Sequence, residues 1–262
     1  MPSAAFASVT GSEDVIPKQR TSTHKLDNSV LSRLSTADYK RVEPHLERVP
    51  LNFGETIYKS KGEIDHIYFP DNGVLSIVGI TANEKPIEVG LIGAEGFVGL
   101  PVFLGVPRSG NEVIVQGEGT AQRISAKAAL SEFTRFGAFH DAVLLFANEL
   151  FLQLSQVTSC NRHHAVEQRL SRRLLMMHDR VADDTLPLTQ EFLSWMLGVR
   201  NQAVSQAAMG LQDQGAIKYS RGVLTILNRR TLEKKACLCY RMIKTGSDGH
   251  AQTTSRSRRE RY

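Results

Sequence analysis

The chain has 262 residues, 41% hydrophobic and 23% charged, the texture of a soluble protein with apolar material for two packed domains. No apolar run reaches the roughly 18 residues of a membrane span, no basic segment followed by an apolar one opens the chain, and the three cysteines are too few for a disulfide framework; the expected compartment is the cytoplasm. The net charge of +5 is split, because residues 1–161 hold 14 Lys+Arg against 18 Asp+Glu and residues 162–262 hold 18 against 9. A basic C-terminal part points to a polyanionic partner there, nucleic acid first.

Residues 1–25 are rich in Ser, Thr and Ala without apolar period and are expected to be a disordered tail. Ser35 should cap a helix over Thr36–Arg48, bent or split by Pro44. Short Val-, Ile- and Phe-rich runs follow: Glu55–Tyr58, His66–Phe69, Val74–Ile80, Ile87–Ile92, Val113–Gln116 and Thr120–Ile124. They are separated at Gly54, Gly62, Asp71-Asn72-Gly73, Ala82-Asn83 and Gly117–Gly119. This spacing predicts an all-β jelly-roll barrel.

From Ala126 the pattern turns helical: one short helix to Arg135, then a long one from Ala138 to Val181. Val143, Phe146, Leu150, Leu154 and Val157 repeat at heptad-like steps, which predicts a seam for a second copy of the chain. The competing reading is a helix packed on its own barrel. Asn161, Arg162, His163 and His164 form a polar joint; His164-x-x-Glu167 lacks the further His a metalloprotease helix needs. The expected layout is α+β: effector barrel 26–137, dimerisation helix and hinge 138–182, winged helix-turn-helix 183–243, and a disordered basic tail 244–262 with Arg256, Arg258, Arg259 and Arg261.

Leu188–Leu227 carries the sharpest pattern. Thr189 caps a helix over Gln190–Leu197, Gly198 allows a tight turn, and a second helix runs over Asn201–Gln214 to Gly215. Outward on that second helix lie Arg200, Asn201, Gln202, Ser205 and Gln206. Asn and Gln can pair with adenine in two-pronged fashion, and Arg with guanine or phosphate. Strands Ala216–Tyr219 and Val223–Leu227, joined by Ser220-Arg221-Gly222, make a wing whose Lys218 and Arg221 suit a phosphate backbone. Together these predict contact with double-stranded DNA through Thr189, Arg200, Asn201, Gln202, Ser205, Gln206, Lys218 and Arg221. A last helix is expected over Arg229–Met242; it would hold Cys237 and Cys239, a C-x-C that could bind metal or sense oxidation but reads more simply as two thiols on a terminal helix.

The arrangement from Leu31 to Tyr240 resembles the Crp/Fnr family of bacterial transcription regulators. The resemblance rests on Phe53-Gly54-Glu55 and Gly73-Val74-Leu75 in the barrel, Glu167-Gln168-Arg169-Leu170 at the hinge, and Leu188-Thr189-Gln190-Glu191 with Leu197-Gly198-Val199 in the reading head. It implies a homodimer on a two-fold symmetric operator, a barrel that senses a small effector, and contact with RNA polymerase. Members that bind cyclic AMP carry Gly-Glu-Leu and then Arg-Ser-Ala; here stand Gly99-Leu100-Pro101 and Arg108-Ser109-Gly110. Gly99, Leu100, Arg108 and Ser109 are thus the candidate effector pocket, with Leu100 in place of the acid that would take the ribose hydroxyl. Glu95 is the nearest acid. The effector is unassigned, cyclic AMP is not expected, and no metal or other cofactor is predicted. An effector-binding signalling module whose winged helix contacts protein is the alternative. An enzyme is disfavoured, since the chain lacks a Gly-x-Ser-x-Gly elbow, a P-loop and a paired metal-ligand motif.

Overall fold

The computed structural model describes residues 28–80, 86–181 and 183–245. The expected N-terminal tail, the C-terminal tail beyond Thr245, the break at Ala82-Asn83 and the four tail arginines lie outside these residues, while Lys244 and Thr245, expected in the tail, are helical. The chain opens with α1 (Ser29–Ser32) and α2 (Thr36–Val42), the latter capped by the Ser35 hydroxyl as expected. Proline ends α2 early: a 3-10 turn, Glu43–His45, replaces the predicted last turn. From Glu47 the chain is already strand β1 (Glu47–Leu51), paired antiparallel with residues 119–123. The helix predicted to Arg48 therefore runs three residues past the end of the 3-10 turn, and β1 was not predicted.

The barrel strands are β2 (Thr56–Tyr58), β3 (His66–Ile80), β4 (Pro86–Ile92) and β5 (Glu112–Ser125). They form a five-stranded sheet in the order β1-β5-β3-β4, with β2 also on β5. The segments read as breaks at Asp71-Asn72-Gly73 and Gly117–Gly119 are instead register shifts where β3 and β5 run side by side. Bulges bend a long strand without ending it, so four expected strands are two long ones. A core of Phe69, Phe97, Val98, Phe103 and Ile124 fills the concave side.

After α3 (Ala126–Phe133) comes α4 (Ala138–His163), whose first N–H, at Ala138, donates to Asp38 of α2 at 2.8 Å. The expected single helix to Val181 is broken. His164 and Ala165 are extended (ψ 147° and 154°), and α5 (Val166–His178) starts beyond them. Gln168 Oε1 accepts the Ala165 N–H at 3.2 Å, supplying a partner for a donor that a continuous helix would have satisfied.

The five residues of the expected seam point inward. Val143, Phe146 and Leu150 are buried in the barrel core, Leu154 packs against it and Val157 is buried. They are occupied within the chain, which corrects their assignment as the face for a second copy. Gly96 makes the fit possible: a Cβ there would lie 2.0 Å from the Phe146 ring. The apolar face left outside on α4 is Leu144, Phe151 and Leu152, with Phe151 67% exposed.

The C-terminal part contains β6 (Thr185–Pro187), α6 (Gln190–Leu197), α7 (Asn201–Asp213), β7 (Ile217–Ser220), β8 (Val223–Ile226) and α8 (Arg229–Lys235). β6, which was not predicted, joins the wing to make a three-stranded sheet in the order β6-β8-β7. α5 shares this core: Leu170 and Leu174 pack with Leu193, Val204 and Leu211. The last helix stops at Lys235, and the chain is helical again from residue 239, so the C-x-C lies at a break in the helix.

Candidate nucleic-acid interface

α6 begins with Thr189, whose hydroxyl accepts the Phe192 N–H at 3.1 Å. Its role in the structure is that cap, worth about 1 kcal/mol. α6 ends at Gly198, where φ is 61°, a left-handed conformation that costs glycine little. Its N–H and that of Val199 return to Ser194 and Trp195, closing the turn. One residue later Arg200 takes the N-cap of α7 without a side-chain capping bond. The first amides of α7 are thus open to an acceptor from outside, such as a phosphate oxygen.

Val204, Ala207, Ala208 and Leu211 fix α7 against α5 and α6, which turns its other face outward. Arg200, Asn201, Gln202 and Gln206 are all exposed at that face; Ser205 is half-buried and donates to Asn201 O at 3.0 Å. Four of the five candidates on this helix are therefore free to reach a partner, while Ser205 is engaged along its own helix. No acidic side chain stands among them.

The wing is a tight hairpin. Ser220 pairs with Val223, leaving Arg221 (φ 50°) and Gly222 (φ 79°) as a two-residue loop of the primed type that matches strand twist. Arg221 and Lys218 are exposed at its tip and flank. The wing is pinned to the head by Tyr219, whose hydroxyl donates to Leu188 O and whose N–H donates to Gln212 Oε1, both at 2.8 Å. Burial pushes the Tyr219 phenol above its ordinary range, so it remains a donor at neutral pH.

Behind the interface α5 is wired to both domains. Arg169 donates to Leu197 O at the end of α6. Arg173 pairs with Glu88 of β4 and also reaches Gln116 of β5. Arg180 pairs with Glu95 at 2.7 Å. Glu95, the acid nearest the expected effector loop, is thus tied to the chain just after α5. At the other end of the head, burial would raise the Asp179 carboxyl, but hydrogen bonds from Arg229 and Tyr240 hold it below its usual range.

The candidate effector residues are gathered only in part. Gly99 starts a 3-10 turn (Leu100–Leu104) and packs on Ile67 and Tyr58, where a Cβ would lie 2.5 Å from Ile67 Cδ1. Leu100 joins the barrel core. Arg108 and Ser109 are held instead by the turn at Lys61–Glu63: Ser109 N donates to Gly62 O, and the Arg108 guanidinium pairs with Glu63 at 3.1 Å. The Ser109 hydroxyl is spent on Asn111 O at 2.6 Å. An anion here would have to displace Glu63. A crevice beside Leu91 and Arg172 and another beside Asp179 and Tyr240 are lined by none of these four residues.

Comparison with known proteins agrees with this geometry. The family model described as the Crp-like helix-turn-helix domain matches residues 168–235. The chain carries a Crp-like helix-turn-helix domain. The match begins inside α5, as the shared core requires. No curated protein sequence matches significantly. Among solved structures, a Crp/Fnr-family regulator from Eubacterium rectale superposes with a TM-score of 0.65 at 15% identity, covering 80% of this chain and 99% of that one. FixK2 from Bradyrhizobium japonicum gives 0.62 at 13%, covering 73% and 98%. The c-di-GMP-responsive regulator CLP of Xanthomonas campestris gives 0.57 at 14%, covering 73% and 99%. At such identities these show the fold: a cyclic-nucleotide-binding-like barrel joined to the Crp-like domain. The chain thus joins a Crp-like helix-turn-helix domain to a fold shared with solved Crp/Fnr-family regulators.

Proposed function

We propose that the chain regulates transcription in the cytoplasm as a homodimer on a two-fold symmetric DNA site, with α7 in the major groove and the wing on the backbone. The observation that carries this reading is the outward start of α7: Arg200, Asn201, Gln202 and Gln206 exposed, beside uncapped amides and a basic wing. Polar side chains with two-pronged hydrogen-bonding capacity supply base discrimination, and Lys218 and Arg221 supply phosphate contacts. Thr189 holds the helix that presents them.

The dimer face in this reading is Leu144, Phe151 and Leu152 on α4. These lie on one side of the helix, opposite the stripe that the barrel covers, and seven residues separate Leu144 from Phe151. The barrel acts as the sensing part, its signal reaching the head through α5, and RNA polymerase is the further protein partner. The effector differs from cyclic AMP, because Leu100 offers no acceptor to a ribose hydroxyl and Arg108 is already paired. The reading assigns no catalytic step.

The test is selection of bound fragments from genomic DNA with the full-length protein, repeated at several salt concentrations. A recovered palindrome whose half-sites sit about one helical turn (roughly 34 Å) apart supports the reading. Recovery of fragments with no shared sequence at any salt overturns it.

A further inference from the structure

The break after α8 brings together residues far apart in sequence. Cys160 lies in the last turn of α4, His164 follows one turn later at the break, and Cys237 and Cys239 come from the segment after α8. One ligand atom from each lies within 4.8 Å of all the others. Cys160 Sγ stands 3.4 Å from Cys237 Sγ, and Cys239 Sγ 3.5 Å from His164 Nδ1. The sulfur pair is much wider than the roughly 2.0 Å of a disulfide. All three cysteines are buried and His164 is half-buried.

The separations of 3.4 and 3.5 Å already match one particular chemistry, and the rest, none above 4.8 Å, would need to close by about 1 Å at most. A tetrahedral zinc ion with Zn–S of about 2.3 Å and Zn–N of about 2.0–2.1 Å sets its ligand atoms about 3.4–3.8 Å apart. A four-iron cluster, each iron holding its own ligand, requires them much further apart. Three soft thiolates and one imidazole are a closed structural set for zinc. A second observation points the same way. Arg169 and Arg172 are 7% and 3% exposed, and the Nε of each has no hydrogen-bond partner among the described residues. Both guanidinium groups act electrostatically on this thiol cluster. Two buried cations side by side demand a compensating anion. Three thiolates, one neutral imidazole and a dication carry a net charge of −1 and would supply it.

We propose that Cys160, His164, Cys237 and Cys239 hold a single thiophilic divalent ion of the zinc type. On binding, each thiol releases its proton to solvent as its sulfur takes up the metal, with no change of oxidation state. Gln156 Nε2, which donates to Cys239 Sγ at 3.0 Å, orients that ligand from outside. The site clamps the end of α4 to the chain beyond the reading head, across the His164-Ala165 break.

The experiment uses the reduced full-length protein. Elemental analysis after purification without chelator should find about one zinc per chain. After chelator treatment, titration with Co²⁺ should produce the intense visible bands of a tetrahedral thiolate site. They should saturate at one equivalent and vanish when zinc is added. Cys237→Ser and Cys239→Ser should each weaken Co²⁺ binding at least tenfold, whereas His163→Ala, at an exposed neighbour, should leave it unchanged. The Co²⁺ titration of the unmutated chain decides the matter even if a serine variant misfolds. Absence of tetrahedral bands in the reduced, folded protein overturns the proposal. So does iron bound with acid-labile sulfide, or a Cys160–Cys237 disulfide that forms in place of metal binding.

Discussion

Arg173 and Glu88 offer the most direct test of how barrel and head are joined. They are 2% and 8% exposed, and they meet across the junction between α5 and β4. Arg173 Nη2 donates to Glu88 Oε2 at 2.7 Å. The same carboxylate oxygen accepts from Ser76 Oγ at 2.8 Å and Gln116 Nε2 at 3.1 Å. Burial pulls the Arg173 guanidinium below its usual range, and Glu88 opposes that pull. Removing one member strands a buried charge at a cost of about 3–5 kcal/mol. Arg173→Met should therefore lower the unfolding free energy by about that amount. Glu88→Gln should cost somewhat less, because its amide keeps contact with Ser76. The double variant removes both charges and should cost less than the sum of the two, by about 1–3 kcal/mol. Arg108→Ala, which breaks the exposed pair with Glu63, should cost about 0–1 kcal/mol. Urea unfolding of all four variants, followed by circular dichroism, measures these differences. Single losses near 1 kcal/mol that simply add would refute a buried, coupled pair.

Other expectations address the proposed function. Phe151→Glu on the exposed face of α4 should convert the dimer to monomer in light scattering with little loss of thermal stability, whereas Phe146→Ala should destabilise the barrel by about 3–5 kcal/mol; a dimer that survives Phe151→Glu would place the interface elsewhere. Asn201→Ala or Gln202→Ala should cost about 1–3 kcal/mol on the selected site and little on random DNA, while Lys218→Ala and Arg221→Ala should weaken both alike and reduce the salt slope; identical behaviour of all four on both DNAs would undo the division into base and backbone contacts. Calorimetry should show no micromolar binding of cyclic AMP, since an unpartnered ribose hydroxyl at Leu100 costs about 1–3 kcal/mol; cyclic AMP binding that raises operator affinity tenfold would contradict this. The depressed folded-state pKa of Asp179 adds stability that is complete above its unfolded value of about 3.9 and is lost as pH falls through the folded value. Thermal melts should therefore fall off below about pH 4, and less steeply in Asp179→Asn; equal slopes for the two proteins would remove Asp179 from the account.

Much of this architecture was legible because local rules and tertiary packing agree. Ser35, Thr189 and Gly198 do what their residue types favour, and the exposed start of α7 follows from the period of Val204, Ala207, Ala208 and Leu211. The α4 stripe shows where legibility ends. Its spacing announces a buried face, but the surface that covers it is set by Gly96 and the barrel wall, which no helical period encodes. β1 was hidden because Leu46 continues the apolar period of α2 up to the point where Pro44 has already ended the helix. At the helix break Gln168 reaches back to the Ala165 amide, a contact that the apolar period does not announce. Of the cysteine and histidine cluster only the Cys237-x-Cys239 half was legible, as two thiols that could bind metal; 77 positions separate Cys160 from Cys237, and only the completed fold makes them neighbours.

The break itself has a mechanical consequence. Along the chain α4 and α5 are joined through the extended pair His164 and Ala165, and the angle between them is held by ties on either side: Arg173–Glu88, Arg180–Glu95 and the contact of Cys160 with Cys237. Once those ties are released, a small rotation there would sweep the C-terminal block like an arm on a swivel. In a symmetric pair both arms turn in opposite senses, so their tips converge or splay. The length of duplex that two tips can straddle would then be tuned by which of these ties are closed, at a point far from the DNA.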